Sequence, residues 1–278
     1  MKRIVTVQDI SCVGRCSLTV ALPIISAMGI ETAIIPTAVL SAHTIFEGRT
    51  FRDLTDDILP IGRHWKSEGF TFDAIYTGYL GSKKQIDIML EFFDEFKTDD
   101  NFILVDPVMA DEGKLYENFD EAFAKKMCKL CERADVITPN LTEACLMTGI
   151  QYKEQYDEKY IDKIISRLKE ITPNGIVLKG IELGGKYGIV CCDGENRSYI
   201  THEKFDDVFY GTGDIFASVL TGALTNSQTL LQATKLAAEF TLESIKATVR
   251  DENSRFYGVN FEQALAMLTE KFTKNKKS

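Results

Sequence analysis

Long basic runs are absent from this chain. The one basic cluster is "KNKKS" at 274–278, within a segment, 271–278, that reads as a frayed tail. The net charge is −9, with a pI of about 5.0. A binder of phosphate backbones carries a basic face, so nucleic acid is not an expected partner. No apolar run reaches membrane-spanning length, so no membrane partner is expected either. The first residues carry a strand pattern where a signal peptide would place a charged and then an apolar stretch. Paired cysteine motifs are also scarce. Cys128 and Cys131 form a single C-x-x-C inside the amphipathic "AKKMCKLCERAD", with no second pair at zinc-finger spacing. Seven cysteines, odd in number and scattered, suit reduced thiols in a cytoplasmic protein. Repeats, low-complexity linkers and composition breaks are missing as well. One domain over 1–278 is the expectation.

Apolar residues make up 45% of the 278 and charged residues 26%, enough for a large core. "RIVTVQ" (3–8) is a β-branched run and predicts a buried strand. "SLTVALPIISAMG" (17–29) predicts a helix closed by Gly29 and carrying Pro23. "ETAIIPTAVL" (31–40) is extended. "RDLTDDILPIGRHWKSEG" (52–69) reads as mostly helical with a break near Pro60. Strand patterns recur in "DAIYTG", "NFILVDPVM" and "DVITPN", separated by helical patterns. A helix is expected at 154–170. "GIVLKG", "YGIVCC" and "RSYITH" follow as three neighbouring strands, and helices at 213–224, 228–249 and 260–272 close the chain. This alternation predicts an α/β fold, with a central mostly parallel sheet flanked by helices on both faces. Ligands in such folds bind beyond the C-terminal ends of the strands.

The strand ends carry polar groups. Asp9 follows the first strand, and "TGYLGS", "DPVMAD" and "TPNLTE" follow later ones; Lys179 ends "IVLK". In "DVFYGTGDIFASVL" (207–220), Gly211, Thr212 and Gly213 precede Asp214 at a helix start. Backbone N–H groups there, with the helix dipole, favour phosphate oxygens. Asp214 can then accept a proton from a substrate hydroxyl. The alternative is a plain turn with Asp214 as N-cap. The motif fits neither the Walker A pattern nor the position of a Rossmann fingerprint. Asp106, Asp111, Asn140 and Glu143 are hard oxygen ligands suited to Mg²⁺, partly through water, with ATP phosphates completing the shell. For Asn140 and Glu143 a helix capping pair is the other reading. Lys179 is a cation for ATP phosphate or a solvated strand-end charge. His43 is structural or catalytic, and Thr44 beside it adds a hydroxyl. Tyr79 stacks on a flat heteroaromatic ring or fills the core.

In this order, "SAHT", "TGYLGS", "DPVMAD", "TPNLTEA" and "YGTGD" make the chain resemble the pyridoxal kinase branch of the ribokinase-like superfamily, over nearly its whole length. The resemblance implies ATP-dependent phosphorylation of the 5′-hydroxymethyl group of pyridoxal, pyridoxine or pyridoxamine. It implies Mg²⁺ with ATP, K⁺ as a further candidate, a small heteroaromatic alcohol as the second substrate, and a homodimer. By motif, Asp214 becomes the base and Gly211, Thr212 and Gly213 the anion hole. Asp106, Thr138, Glu143 and Lys179 fall on the ATP–metal side, and Asp207, Val208, Phe209 and Tyr210 border the nucleotide. Thr44, with His43 and Tyr79 nearby, falls on the ring side.

The chain departs from that pattern after the first strand. "VQDISCVG" puts Asp9 where relatives commonly carry serine, with Ser11 two residues on. An aspartate there can bind a protonated ring nitrogen or the amine of pyridoxamine. Asp9 is therefore expected at the ring pocket, biasing the enzyme toward pyridoxamine; the alternative is that it faces solvent or pairs with Arg15. The nearest competing activity is a hydroxymethylpyrimidine (phosphate) kinase, on the same fold with the same base. A sugar kinase would need a glycine-rich N-terminal pattern not seen here. A non-catalytic ligand-binding protein on this scaffold would have no need of an intact Asp214.

Overall fold

The computed structural model describes residues 1–202, 205 and 207–273. The basic stretch 274–278 lies outside the described residues. The contacts group the chain into two compact units, Met1–Gly78 with Phe205–Ser278, and Tyr79–Lys204.

The first unit opens with β1 (Arg3–Ser11), α1 (Leu18–Ala27), β2 (Glu31–Leu40), β3 (Phe51–Asp53), α2 (Ile58–Ser67) and β4 (Ala74–Thr77). Ile4, Val5 and Val7 of β1 are completely buried, as suits a strand covered on both faces. β1 pairs in parallel with β2 on one side and β4 on the other. β3 adds an antiparallel edge to β2. The helix expected from Arg52 therefore begins only at Ile58, because residues 51–53 are drawn into sheet pairing. Pro60 does not break it. It is the third residue of α2, where the N–H it lacks would have no helical partner. Pro23 sits inside α1, which continues past it.

The second unit contains α3 (Lys83–Phe96), β5 (Phe102–Val105), β6 (Ala110–Asp111), β7 (Lys114–Leu115), α4 (Glu121–Cys131), β8 (Val136–Ile137), α5 (Leu141–Thr148), α6 (Glu158–Ile171), β9 (Gly175–Leu183), β10 (Lys186–Asp193) and β11 (Asn196–His202). β5, β8 and β9 run parallel. β9, β10 and β11 form the antiparallel trio expected from the sequence. The small hairpin of β6 and β7 was not foreseen. The C-x-x-C pair lies on α4, with Cys131 buried and Cys128 half-buried, and burial pushes both thiols above their ordinary range.

The chain returns to the first unit with α7 (Thr212–Thr225), α8 (Leu230–Arg250) and α9 (Leu265–Phe272). α7 packs against α1, α8 and β4, and its residues from Ile215 to Ala223 are buried. α9 ends at Phe272, where the helix expected at 260–272 also ends, so Lys271 and Phe272 belong to that helix and not to the tail expected over 271–278. Among the described residues, no helix is long and apolar enough to cross a membrane.

Candidate active site

The first unit gathers one set of the sequence-selected residues. Gly211 caps α7 in a left-handed conformation, with φ 80° and ψ 0°. A Cβ at this position would stand 2.0 Å from the carbonyl oxygen of Arg15, so only glycine fits. Thr212 Oγ1 donates to the Phe209 carbonyl at 3.1 Å, which fixes the turn. The first intrahelical bond runs from Ile215 N to Gly211 O at 3.0 Å. The N–H groups of Thr212, Gly213 and Asp214 thus lie ahead of the helical ladder, where the helix dipole favours an anion.

Asp214 is not the cap residue of that helix. It is the third helical residue, and its Oδ2 accepts from the backbone N–H of Ser17 at 2.9 Å. Ser17, at the start of α1, has φ 49° and makes no side-chain cap bond. A non-glycine residue held at positive φ costs about 1–3 kcal/mol and marks a position fixed by its surroundings. Sequence reading missed Ser17, because a serine before a helix looks like an ordinary N-cap. Asp9 is only 5% exposed and accepts from Ser11 Oγ at 3.1 Å. Burial pushes its carboxyl above the usual range, against the hydroxyls of Ser17 and Ser11. Arg15 turns elsewhere, to Glu262 at 2.9 Å and Asn260 at 2.6 Å. Asp9 therefore neither faces solvent nor pairs with Arg15. Cys16 feels both carboxylates: burial first, then Asp214 and Asp9, push its thiol far up.

His43 packs its ring 5.4 Å from that of Tyr210 and accepts from Ile45 N at 3.1 Å. Burial, helped by the Arg49 charge, pushes its pKa down and favours neutral imidazole. Thr44, assigned to the ring side, is exposed. Asp207, Val208, Phe209 and Tyr210 line a cleft of about 300 Å³, whose other wall comes from residues 248–258, including Thr248, Arg255, Phe256 and Gly258. That second wall carries no motif, and sequence reading missed it.

The second unit gathers the other set. Asp106 follows β5 and is 2% exposed. Its Oδ1 accepts from Lys179 Nζ and from Thr138 Oγ1, both at 2.9 Å. Glu143 accepts from Met109 N at 3.1 Å and from Asn140 N at 2.8 Å. Asn140 caps α5 reciprocally through Glu143 N and donates to the Ala110 carbonyl, both at 2.8 Å. The capping reading thus describes Asn140, whose amide is committed to backbone. Asp111 is exposed, and its Oδ1 accepts from Glu112 N at 2.9 Å. Tyr79 is half-buried, 5.8 Å from the Phe119 ring.

Burial and the neighbouring Asp106 push the Glu143 carboxyl up to about 8, against Lys179 and two backbone donors. Two buried carboxyls beside Lys179 are relieved of like-charge repulsion by a proton on Glu143 in the metal-free site, and a hard cation would take the place of that proton. Among the described residues, no three His, Cys, Asp or Glu side chains form a metal-binding group. The arrangement fits a cation held by Asp106 and Glu143 together with substrate phosphates and water.

The raised Glu143 value has a measurable sign. Between the ordinary 4.5 and about 8, folded protein keeps a proton that unfolded chain has released. The stability this proton gives is complete below the lower value and is lost as pH rises through the upper one. In metal-free, nucleotide-free protein, Tm is expected to fall across that window, and Glu143→Gln is expected to flatten the fall. An equally steep decline in the variant would contradict the assignment.

Known proteins resemble this chain over most of its length. The profile of the phosphomethylpyrimidine kinase family matches residues 22–257. A Bacteroides thetaiotaomicron protein assigned as a phosphomethylpyrimidine kinase, solved in an orthorhombic form with pyridoxal, superimposes with a TM-score of 0.90. It is 38% identical, covering 96% of this chain and 95% of that one. Pyridoxal kinase from Lactobacillus plantarum gives a TM-score of 0.90 at 28% identity, covering 98% of each chain. The hydroxymethylpyrimidine/phosphomethylpyrimidine kinase of Bacillus subtilis is 30% identical over 180 residues, 64% of this chain and 65% of its own length. The resemblance seen in the sequence motifs and the α/β architecture are both borne out, and the chain belongs to the phosphomethylpyrimidine kinase family of the ribokinase-like superfamily.

Proposed function

We propose that this kinase transfers the γ-phosphoryl group of ATP to the 5′-hydroxymethyl group of a B6 vitamer. The observation that carries the reading is the placement of Asp214. Its carboxylate is fixed by the Ser17 N–H beside N–H groups that precede the α7 ladder. A carboxylate so held accepts the proton of an attacking hydroxyl, while the Gly211–Thr212–Gly213 backbone takes phosphate oxygens. Asp106, Thr138, Glu143 and Lys179 are assigned to the nucleotide and its cation, and the 207–210 segment borders the nucleotide. When bound, Mg²⁺ neutralises charge on the phosphates; Asp106 and Glu143 would hold it. His43, Thr44 and Tyr79 are assigned to the ring side. A homodimer and K⁺ activation are implications of the family resemblance, and a cytoplasmic location is the implication of the seven scattered cysteines.

The B6 reading is preferred over hydroxymethylpyrimidine on the "SAHT" and "TGYLGS" segments and on the likeness to the Bacteroides structure solved with pyridoxal. The Bacillus subtilis relative keeps the pyrimidine as the second reading. ADP release should be measured with pyridoxal, pyridoxine, pyridoxamine and hydroxymethylpyrimidine as acceptors. A B6 vitamer is expected to give the highest kcat/KM. Preference for hydroxymethylpyrimidine would replace the first reading by the second, and no turnover with any acceptor would favour a binding protein. Excess EDTA is expected to abolish the ADP release and added Mg²⁺ to restore it; turnover that survives EDTA would remove the metal from Asp106 and Glu143.

A further inference from the structure

We propose that Arg15 is a positioning residue for Asp214: its side chain anchors the 12–17 loop, whose Ser17 N–H holds the carboxylate. The inference rests on the reading of Asp214 as the base and goes one step beyond it. Arg15 lies inside that loop, between β1 and α1 and two residues before Ser17. Its backbone is gripped on two sides. A Cβ at Gly211 would meet the Arg15 carbonyl oxygen at 2.0 Å, and one at Gly258 would meet the Arg15 Cβ at 2.5 Å. Its side chain reaches the segment that follows the second wall of the cleft. Nη1 donates to Asn260 Oδ1 at 2.6 Å and Nε to Glu262 Oε1 at 2.9 Å. Asn260 is buried and is itself fixed. Its Nδ2 donates to Asp251 at 2.8 Å and its backbone N–H to Thr248 Oγ1 at 2.7 Å. The Asn260 end of this strut is therefore the firm one, and the exposed Glu262 end is the weaker.

The anchor matters at Ser17. Its φ of 49° is strained and persists only under restraint from its surroundings. Neutral bonds also tie the loop, from His43 N to Val13 O at 2.8 Å and from Thr19 Oγ1 to Gly14 O at 3.1 Å. Hydrogen bonds from a guanidinium are roughly twice as strong as neutral ones. Without them Ser17 relaxes to ordinary backbone, and its N–H turns from Asp214. The carboxylate then loses its aim and keeps its charge. Loss of one hydrogen bond to a charged group corresponds to about a ten- to hundred-fold change. Loss of the base itself costs about 10²–10⁴-fold, so the effect at Arg15 should be the smaller.

The test uses Arg15→Met, which keeps the apolar stem, alone and combined with Asp214→Asn. With the best acceptor, kcat of Arg15→Met should fall about ten- to a hundred-fold while the KM for ATP stays near that of wild type. In the Asp214→Asn background the same change should lower kcat no further, because there is no base left to aim. Hydrogen exchange at the Ser17 amide, followed by NMR, reads the strut without turnover. It should be faster in Arg15→Met than in wild type, with the buried amides of β1 and α7 unchanged. Unchanged kcat, a full further loss in the Asp214→Asn background, or unchanged Ser17 exchange would each overturn the proposal. If wild type turns over no acceptor, the kinase reading fails, and Ser17 exchange alone decides whether Arg15 holds the loop. If Arg15→Met does not fold, Glu262→Ala decides at the exposed end of the strut: Ser17 exchange should still quicken, and no change would overturn the proposal.

Discussion

Replacing Asp214 by asparagine is expected to lower kcat by about 10²–10⁴-fold, the usual cost of losing a general base. Asparagine keeps the size of the side chain, and its Oδ1 can still accept from Ser17 N–H, the bond that fixes Asp214 at 2.9 Å. The variant should therefore fold and bind nucleotide nearly as tightly as wild type. The loss should appear in the phosphoryl-transfer step, measured by single-turnover kinetics with saturating ATP. Near-normal turnover in a folded Asp214→Asn protein would remove the carboxylate from the reaction.

The second large effect is expected at Gly211. Two constraints meet there: a φ of 80° and a space in which an added Cβ would lie 2.0 Å from Arg15 O. The left-handed conformation alone costs an alanine about 1–3 kcal/mol. The clash is with backbone, so relief requires the turn that carries the α7 N–H groups to move. Loss of a positioned donor for developing charge costs about 10²–10³-fold in rate. Gly211→Ala should therefore lose both stability and turnover. Gly149 is a fitting control. It caps α5 at φ 67°, and a Cβ there meets nothing within 4 Å. Gly149→Ala should lose stability only. Equal turnover in the two variants would show that the Gly211 turn does not hold the phosphate.

Much of this was legible in the sequence, for identifiable reasons. β1 is a β-branched run buried on both faces, and such a strand announces itself without any partner. The Asn140–Glu143 capping box is a local pattern in three residues of spacing, and it formed as read. The Asp214 turn was visible because glycine and acid are chemically distinctive. What escaped depends on contacts distant in sequence. β3 is three residues long, and pairing with β2 overrode the helical pattern at Arg52. β6 and β7 have two residues each, too few to show a period. Ser17 acts through its backbone N–H, which no side-chain pattern reveals, and its partner lies 197 residues away. The 248–258 wall of the cleft reads as a helix end followed by a polar loop. Arg15 stands six residues from Asp9 and was a natural partner by proximity, yet Glu262 and Asn260 hold it.

The most direct measurement is the site of phosphorylation on the product. Purified protein with ATP, Mg²⁺ and each B6 vitamer should yield a monophosphate whose phosphorus couples to the protons of the 5′-methylene group in NMR. Asp214→Asn should yield little of it under the same conditions. Phosphate on another oxygen of the ring system, or no phosphorylated vitamer while hydroxymethylpyrimidine is converted, would contradict the assignment of this kinase to the 5′-hydroxyl of vitamin B6.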